Sequence, residues 1–336
     1  MVTKFVTTAS QGNLWNASDS YGLGNDTLYL MIPTPNHAAI RTYHGNDFVS
    51  VVNAPSGWQG YKFYLGLGND TLLGSSKNDY YYDEGGDDLI SMGAGGDLVL
   101  AGPGDDSFDG GNGVDTIDFG FTVDMFGNFI PIAQGVTLNL GSTGPQDLGF
   151  YGIDTFVSFE SIYGGPGDDT FLGTDGYNFF LGGEGADHLR GFGGNDSISG
   201  GEGGDTLIGD GGADDLYAGI AYETESDGAS DTFKYFRLSD STYDDGMDTI
   251  FNFEHFAGGG TDKIDLSFID ATSSLVGNQT FQFVGSAGFS LAGGEVSVVS
   301  VGDKTVVMVD NDADATAEMV IIVEGVTGLT ANDFIL

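Results

Sequence analysis

GGEGADHLR GFGGNDSIS GGEGGDTLI GDGGADDLY, residues 182 to 217, reads as nine-residue units laid end to end. Each unit opens with glycine, carries aspartate at its sixth place and sets a large apolar residue two places later. Counting by nines from this stretch yields Asp169, Asn178, Asp187, Asp196, Asp205 and Asp214, one amide standing among the acids. A second series upstream keeps the same step: Asp70, Asp79, Asp88, Asp97, Asp106 and Asp115. The apolar partners are Phe171, Phe180, Leu189, Ile198, Leu207 and Leu216, and, upstream, Leu72, Tyr81, Ile90, Val99, Phe108 and Ile117. Glycines at the first, second and fourth places permit positive φ and a close neighbouring backbone, so each unit begins as a tight turn. The apolar residue then falls on the inward face of a short strand with a side-chain period of two. With two units per coil, turns on one side are eighteen residues apart in sequence and about 4.8 Å apart in space, the strand spacing of a sheet. The class expected is all-β, a parallel solenoid with a narrow core.

The clearest units are GPGDDSF (102–108), GGNGVDTID (110–118), GGPGDDTFL (164–172), GGEGADHLR (182–190) and GGEGGDTLI (200–208). They resemble the calcium-binding nonapeptide of the RTX, or repeats-in-toxin, family. The resemblance implies a right-handed parallel β-roll with Ca²⁺ held between stacked turns. The expected carboxylate ligands are Asp70, Asp79, Asp88, Asp97, Asp106, Asp115, Asp169, Asp187, Asp196, Asp205 and Asp214, with Asp26 of the isolated unit YGLGNDTLY (21–29) a weaker one. The expected carbonyl ligands are Gly66, Gly68, Gly93, Gly95, Gly102, Gly104, Gly111, Gly113, Gly165, Gly167, Gly183, Gly185, Gly201 and Gly203. These are hard oxygen donors, and Ca²⁺ takes six to eight of them at about 2.3–2.6 Å. If an ion bridges each turn to the one a coil away, two blocks of six turns hold roughly eight ions. Lys77 in GSSKNDYYY (74–82) and the DEGG of 83–86 break the pattern, so a weaker or missing metal is expected near Asp79.

The blocks set out the organisation. Residues 65–118 and 164–217 are the two β-roll blocks, and 119–163 is expected to continue the stack, with a strand marked by Val136, Leu138 and Leu140. Residues 1–64 read as an irregular N-terminal β cap with partial repeats, among them HGNDFV (44–49) with Asp47. Residues 218–336 read as a β-rich C-terminal domain. There DTFKYF (231–236), DTIFNF (248–253), DKIDLSFIDA (262–271) and the final acidic-then-apolar Asp333, Phe334, Ile335 and Leu336 resemble the domain that follows RTX repeats in serralysin-type secreted proteins. That resemblance covers about residues 65 to 336 and implies an uncleaved secretion signal in those last residues, with the type I secretion machinery as partner.

Composition agrees. The 336 residues include 58 glycines and 50 Asp+Glu against 9 Lys+Arg, a formal net charge of −41. A disordered acidic tail lacks apolar residues, whereas this chain is 40% apolar and 12% aromatic. A surface so acidic repels phosphate, which excludes nucleic acid, and calls for cations. Cysteine is absent, so metal rather than disulfide is the expected staple. The opening MVTKFVTTASQGNLW lacks an apolar run and a small-residue cleavage site, so no cleavable leader is expected.

Catalytic signatures are wanting. None of His37, His44, His188 and His255 stands in an HExxH motif, and neither GxSxG nor a Walker loop occurs. In the acid pairs Asp105/Asp106 and Asp168/Asp169 one member takes the metal place and the other an exposed turn place, so no enzyme is expected. The favoured role is a secreted structural or adhesive element at or beyond the cell surface, in a surface layer, a matrix or a self-assembled polymer, with strand edges that pair copies of the chain. One alternative is a protein that binds or modifies extracellular polysaccharide, since RTX repeats accompany alginate epimerases and lyases. Its sugar platform would be Trp15, Trp58, Tyr61, Tyr64 and Tyr80 to Tyr82. A further alternative, a membrane-active signalling protein, is disfavoured by the acidic charge. Finally, DNDADATAE (310–318) begins like an EF-hand, with Asp310, Asp312 and Asp314. It lacks glycine at the sixth place and has Ile321 at the twelfth, so a solvated hairpin is expected.

Overall fold

A computed structural model describes residues 2–6, 15–16, 24–30, 38–51, 60–123, 129–221, 227–244, 246–255, 261–272, 277–312, 314 and 316–336. The chain divides into two compact units, Met1–Pro166 and Gly167–Leu336.

In the first unit strands begin directly after the periodic aspartates and stack in parallel. Leu72 of Thr71–Ser75 sits in register with Ile90 of Leu89–Gly93, then Phe108 of Ser107–Asp109, then Phe156 of Ile153–Val157. On the facing sheet Phe63, Tyr81, Val99, Ile117 and Ile162 align in the same way. These residues are buried and form the core. The two sheets take alternate nonapeptides, as two units per coil require. Upstream, Asp26–Leu30 and Phe48–Val51 join the first of these sheets in parallel, and Ala38–Arg41 joins the second. The segment 119–163 returns to the stack through Ile153–Val157 and Ser161–Pro166, after an excursion that includes an antiparallel pair, Phe121–Val123 with Phe129–Pro131. Val136 and Leu138 are buried, and the strand there is limited to Thr137–Asn139.

The second unit repeats the plan. Phe171, Leu189, Leu207, Phe233, Ile264 and Phe334 align down one sheet, and Phe180, Ile198, Leu216, Ile250 and Val323 down the other. Within this unit the parallel register runs on past residue 217, from Thr206–Gly211 to Thr232–Lys234 and from Asp215–Tyr217 to Asp248–Phe251. The second sheet then turns antiparallel: Met319–Val323 pairs with Lys304–Asp310, which pairs with Glu295–Val301. The alternation in GEVSVVSV and DKTVVMVD favours such a meander, with one buried and one wetter face. Leu207 lies at the middle of its stack with no exposed surface. Leu207→Ala is expected to cost about 2–5 kcal/mol by leaving a cavity that neighbouring coils cannot close, read as a lower urea midpoint in saturating calcium.

Candidate metal centre

Side chains of the periodic aspartates point inward to the turns and are buried. Along each ladder a carboxylate caps a backbone amide one coil earlier. The Asp70 N–H donates to Asp88 Oδ1 at 2.8 Å, Asp88 to Asp106 at 2.7 Å, and Asp106 to Asp154 at 2.8 Å. On the other edge of that unit Asp79 donates to Asp97 at 2.6 Å, Asp97 to Asp115 at 2.7 Å, and Asp115 to Glu160 Oε2 at 3.0 Å. The second unit carries Asp169 to Asp187 (2.7 Å), Asp187 to Asp205 (2.8 Å), Asp205 to Asp231 (2.8 Å) and Asp231 to Asp262 (2.9 Å). Beside it run Asn178 to Asp196 (2.7 Å), Asp196 to Asp214 (2.8 Å) and Asp214 to Asp248 (3.0 Å). Asp26 enters the first ladder by donating to Asp47 at 2.7 Å, and Asp47 in turn donates to Asp70.

One oxygen of each carboxylate is thereby used. The other, Oδ2, is buried without a hydrogen-bond partner in Asp47, Asp70, Asp97, Asp106, Asp115, Asp154, Asp187, Asp196, Asp205, Asp214, Asp231 and Asp248. A buried, unsatisfied charged oxygen costs several kcal/mol unless something neutralises it. Burial accordingly pushes the carboxyls up: Asp70 and Asp231 to about 9, Asp154, Asp196 and Asp205 to about 8, Asp97, Asp106 and Asp214 to about 7, and Asp115 and Asp187 to about 6. Neighbouring carboxylates add to the effect, as Asp187 and Asp227 do at Asp205.

The glycines explain how the turns can stack so closely. A Cβ on Gly104 would run into the Gly86 carbonyl, on Gly111 into Gly93, on Gly113 into Gly95, on Gly185 into Gly167, on Gly201 into Gly183 and on Gly203 into Gly185. The expected carbonyl ligands Gly93, Gly95, Gly167, Gly183 and Gly185 therefore lie against the turn one coil later. One detail of the sequence reading is corrected. Positive φ occurs at the second and fourth places of most units, for example 113° at Gly201 and 125° at Gly203 though not at Gly102 and Gly104, and not at the first-place glycines. First-place glycines serve another end: a Cβ on Gly182, Gly191, Gly200 or Gly209 would strike the Oδ2 of the aspartate five residues later.

Individual positions differ. Asp79, in the unit with Lys77, has both oxygens taken, by the N–H groups of Tyr61 and Ser75, each at 2.7 Å. Asp88 receives the Tyr81 hydroxyl as well as the Asp70 amide. Asp83, in the DEGG stretch read as a departure, is buried with Asp88 and Asp106, and the ligand atoms of the three carboxylates lie within 4.8 Å of one another. Sequence counting missed Asp83, Asp154, Glu160, Asp231, Asp248 and Asp262. Of the aromatic candidates, Tyr61, Tyr81 and Tyr82 are buried, and Tyr64 stacks on Tyr82 at 4.4 Å. Trp58 lies outside the described residues. Among the described residues, no helix is long and apolar enough to cross a membrane.

The donor set is wholly oxygen, anionic and repeated at coil spacing. It fits a hard divalent cation of the Ca²⁺ kind, which would be held by the free aspartate oxygens and the turn carbonyls and would supply the missing counter-charge. Asp205→Asn keeps an oxygen able to accept the Asp187 amide but removes the charge. It is expected to lower calcium affinity by about tenfold or more, about 1.4 kcal/mol, while leaving the chelated protein no less stable. Calorimetric titration and thermal melts in chelator check the two halves.

Among curated proteins none matches this sequence. Solved structures with some likeness include a subunit of the mannuronan C5-epimerase of Azotobacter vinelandii, at 29% identity over 50% of this chain and 77% of that one, TM-score 0.22. Another is the extracellular lipase LipA of Serratia marcescens, at 15% identity over 89% of this chain and 45% of that one, TM-score 0.16. The family described as Peptidase M10 serralysin C terminal matches residues 49–336. With that match over most of its length and the nonapeptide ladder inside it, the chain belongs to the serralysin C-terminal family and is built of RTX-type calcium-binding repeats.

Proposed function

We propose that this chain is a secreted calcium-binding protein without enzymatic activity, whose calcium-driven folding builds an extracellular structural or adhesive element. The observation that carries the reading is the ladder of buried aspartates with unpartnered second oxygens in a chain of net charge −41. Roughly eight ions bridging turns one coil apart would offset about 16 charges along that ladder. Their ligands are the periodic aspartates named above, with the ladder members Asp154, Asp231 and Asp248 added.

In a cell interior poor in free calcium the repulsion is uncompensated and the chain stays open for export. Outside, where calcium is near millimolar, binding drives folding, because ions that bind only the folded chain stabilise it. The C-terminal residues support this order of events. Asp333 is 3% exposed and Phe334 7% exposed, and Phe334–Ile335 pairs in parallel with Lys263–Asp265. Folding buries Asp333 and Phe334 of the segment that type I secretion machinery would read, while Ile335 stays exposed, so full access to that segment precedes folding. The structural role rests on sheet edges at the ends of a stack, which can pair with another copy. Electron microscopy and sedimentation of the purified chain during calcium addition test it. Calcium-dependent filaments or large assemblies are expected; a strictly monodisperse monomer in millimolar calcium would sink the structural role.

A further inference from the structure

Beyond the nonapeptide ladders, the antiparallel hairpin near the C-terminus brings together a different group of acids. Val309 and Met319 face each other in register, and the Glu318 N–H closes on the Val309 carbonyl at 3.0 Å. At this closed end, ligand atoms of Asp310, Asp312 and Glu318 lie within 4.8 Å of one another. Asp310 has no exposed surface. Its Oδ1 accepts the Asp312 N–H at 2.9 Å, and its Oδ2 is buried with no hydrogen-bond partner. Glu318 is partly used, accepting the Asn311 N–H through Oε2 at 2.9 Å.

We propose that Asp310, Asp312 and Glu318 form a divalent-cation site, separate from the ladders, that pins this hairpin. A solvated loop accounts for Asp312, which is exposed, but not for a fully buried carboxylate with an idle oxygen beside two more acids. Basic groups do not supply the counter-charge. The ion pairs among the described residues are Arg190–Asp210, Lys234–Asp265, His255–Asp333 and Lys304–Glu324, and none involves these acids. A further carboxylate, Glu295, stands opposite Asp310 in register and adds to the negative field, while its own oxygens take the Ser290 N–H and hydroxyl at 2.6 and 2.7 Å. Burial raises the carboxyl of Asp310, with Asp312, Asp314 and Glu295 raising it further, and burial together with Asp310 and Asp312 raises that of Glu318.

The geometry also departs from the EF-hand comparison. Asp314 is exposed and turns its Oδ1 to the Thr316 N–H at 2.8 Å, outside the group of three, while Glu318 provides the carboxylate that the twelfth place lacks. A group of protein carboxylates suits Ca²⁺, which takes six to eight oxygens in flexible geometry, better than Mg²⁺, which keeps most of its waters. The ion would clamp Lys304–Asp310 to Met319–Val323, the point at which the sheet has left its parallel plan.

The test is equilibrium dialysis of the full chain against radioactive calcium, counting ions per chain for the unaltered protein, for Asp312→Asn with Glu318→Gln, and for Asp314→Asn. The double variant is expected to bind one ion fewer at millimolar calcium and Asp314→Asn the same number as the unaltered chain. Equal counts in all three would overturn the proposal. A double variant that loses several ions has lost its ladders as well. In that case Asp312→Asn alone decides, since the side chain is exposed and asparagine keeps an oxygen for the Asp314 N–H: one ion lost supports the site, none lost overturns it. Failure of the ladder reading looks different, because the unaltered chain would then bind one ion or none.

Discussion

In the presence of chelator, acidification from pH about 9 to about 5 is expected to restore β structure rather than destroy it. An unfolded aspartate titrates near 3.9. In the folded chain burial raises Asp70 and Asp231 to about 9 and Asp154, Asp196 and Asp205 to about 8. Between the unfolded and the raised folded value, the folded chain holds more protons than the unfolded one, so stability falls as pH rises through that window. Below about pH 4 the contribution is fully present, and above about pH 9 it is gone. Asp70, Asp154, Asp196, Asp205 and Asp231 are all raised by burial, so their effects on stability act in the same direction. Calcium reverses the dependence, because it binds the carboxylate and displaces the proton. Far-ultraviolet circular dichroism against pH should therefore give opposite profiles in chelator and in calcium. A chelated protein that loses its β signal steadily from pH 9 to pH 5 would contradict the electrostatic account.

Gly203→Ala is expected to prevent folding of the second unit even in saturating calcium. Its φ is 125°, and the added Cβ would meet the carbonyl of Gly185 in the turn one coil before. That atom belongs to the backbone of a neighbouring coil and cannot move without opening the stack, so the cost exceeds the about 4–5 kcal/mol of an exceptional single substitution. Gly211→Ala is the matched control. Gly211 stands in the strand after the same turn, has no unusual φ, and its Cβ would meet nothing nearer than the Phe192 carbonyl at 4.0 Å. It is expected to fold with a change within about 0.5 kcal/mol. Calcium-induced dichroism of the two variants separates the explanations: if both fold alike, close turn packing is not what the glycines provide.

The repeat was legible because one physical unit recurs at one length. An aspartate followed two places later by an apolar residue predicts both the capped amide and the buried strand centre, and Leu72, Ile90, Leu189 and Leu207 all take that place. The same unit also recurs where counting by nines fails: Asp154 before Phe156, Asp231 before Phe233, Asp248 before Ile250 and Asp262 before Ile264. Their ladder bonds span 48, 26, 34 and 31 residues instead of 18. A coil needs its aspartate and its strand, while the loop between can lengthen at small entropic cost, about 0.6 kcal/mol per doubling. A search for the aspartate and apolar pair without fixed spacing would have found these positions. Asp83 carries no such signal. Only the folded turn brings it to Asp88 and Asp106, just as only the hairpin brings Glu318 to Asp310. The first-place glycines were read as conformational, and the carboxylate lying over them was not visible in sequence.

A high-resolution structure grown from millimolar calcium is the most direct measurement. Spherical density, anomalous for calcium, is predicted at about 2.3–2.6 Å from the Oδ2 atoms of Asp187, Asp196, Asp205 and Asp214, with turn carbonyls of coils eighteen residues apart completing each shell. Those same oxygens facing only water or protein donors, with no ion at any turn, would contradict the account.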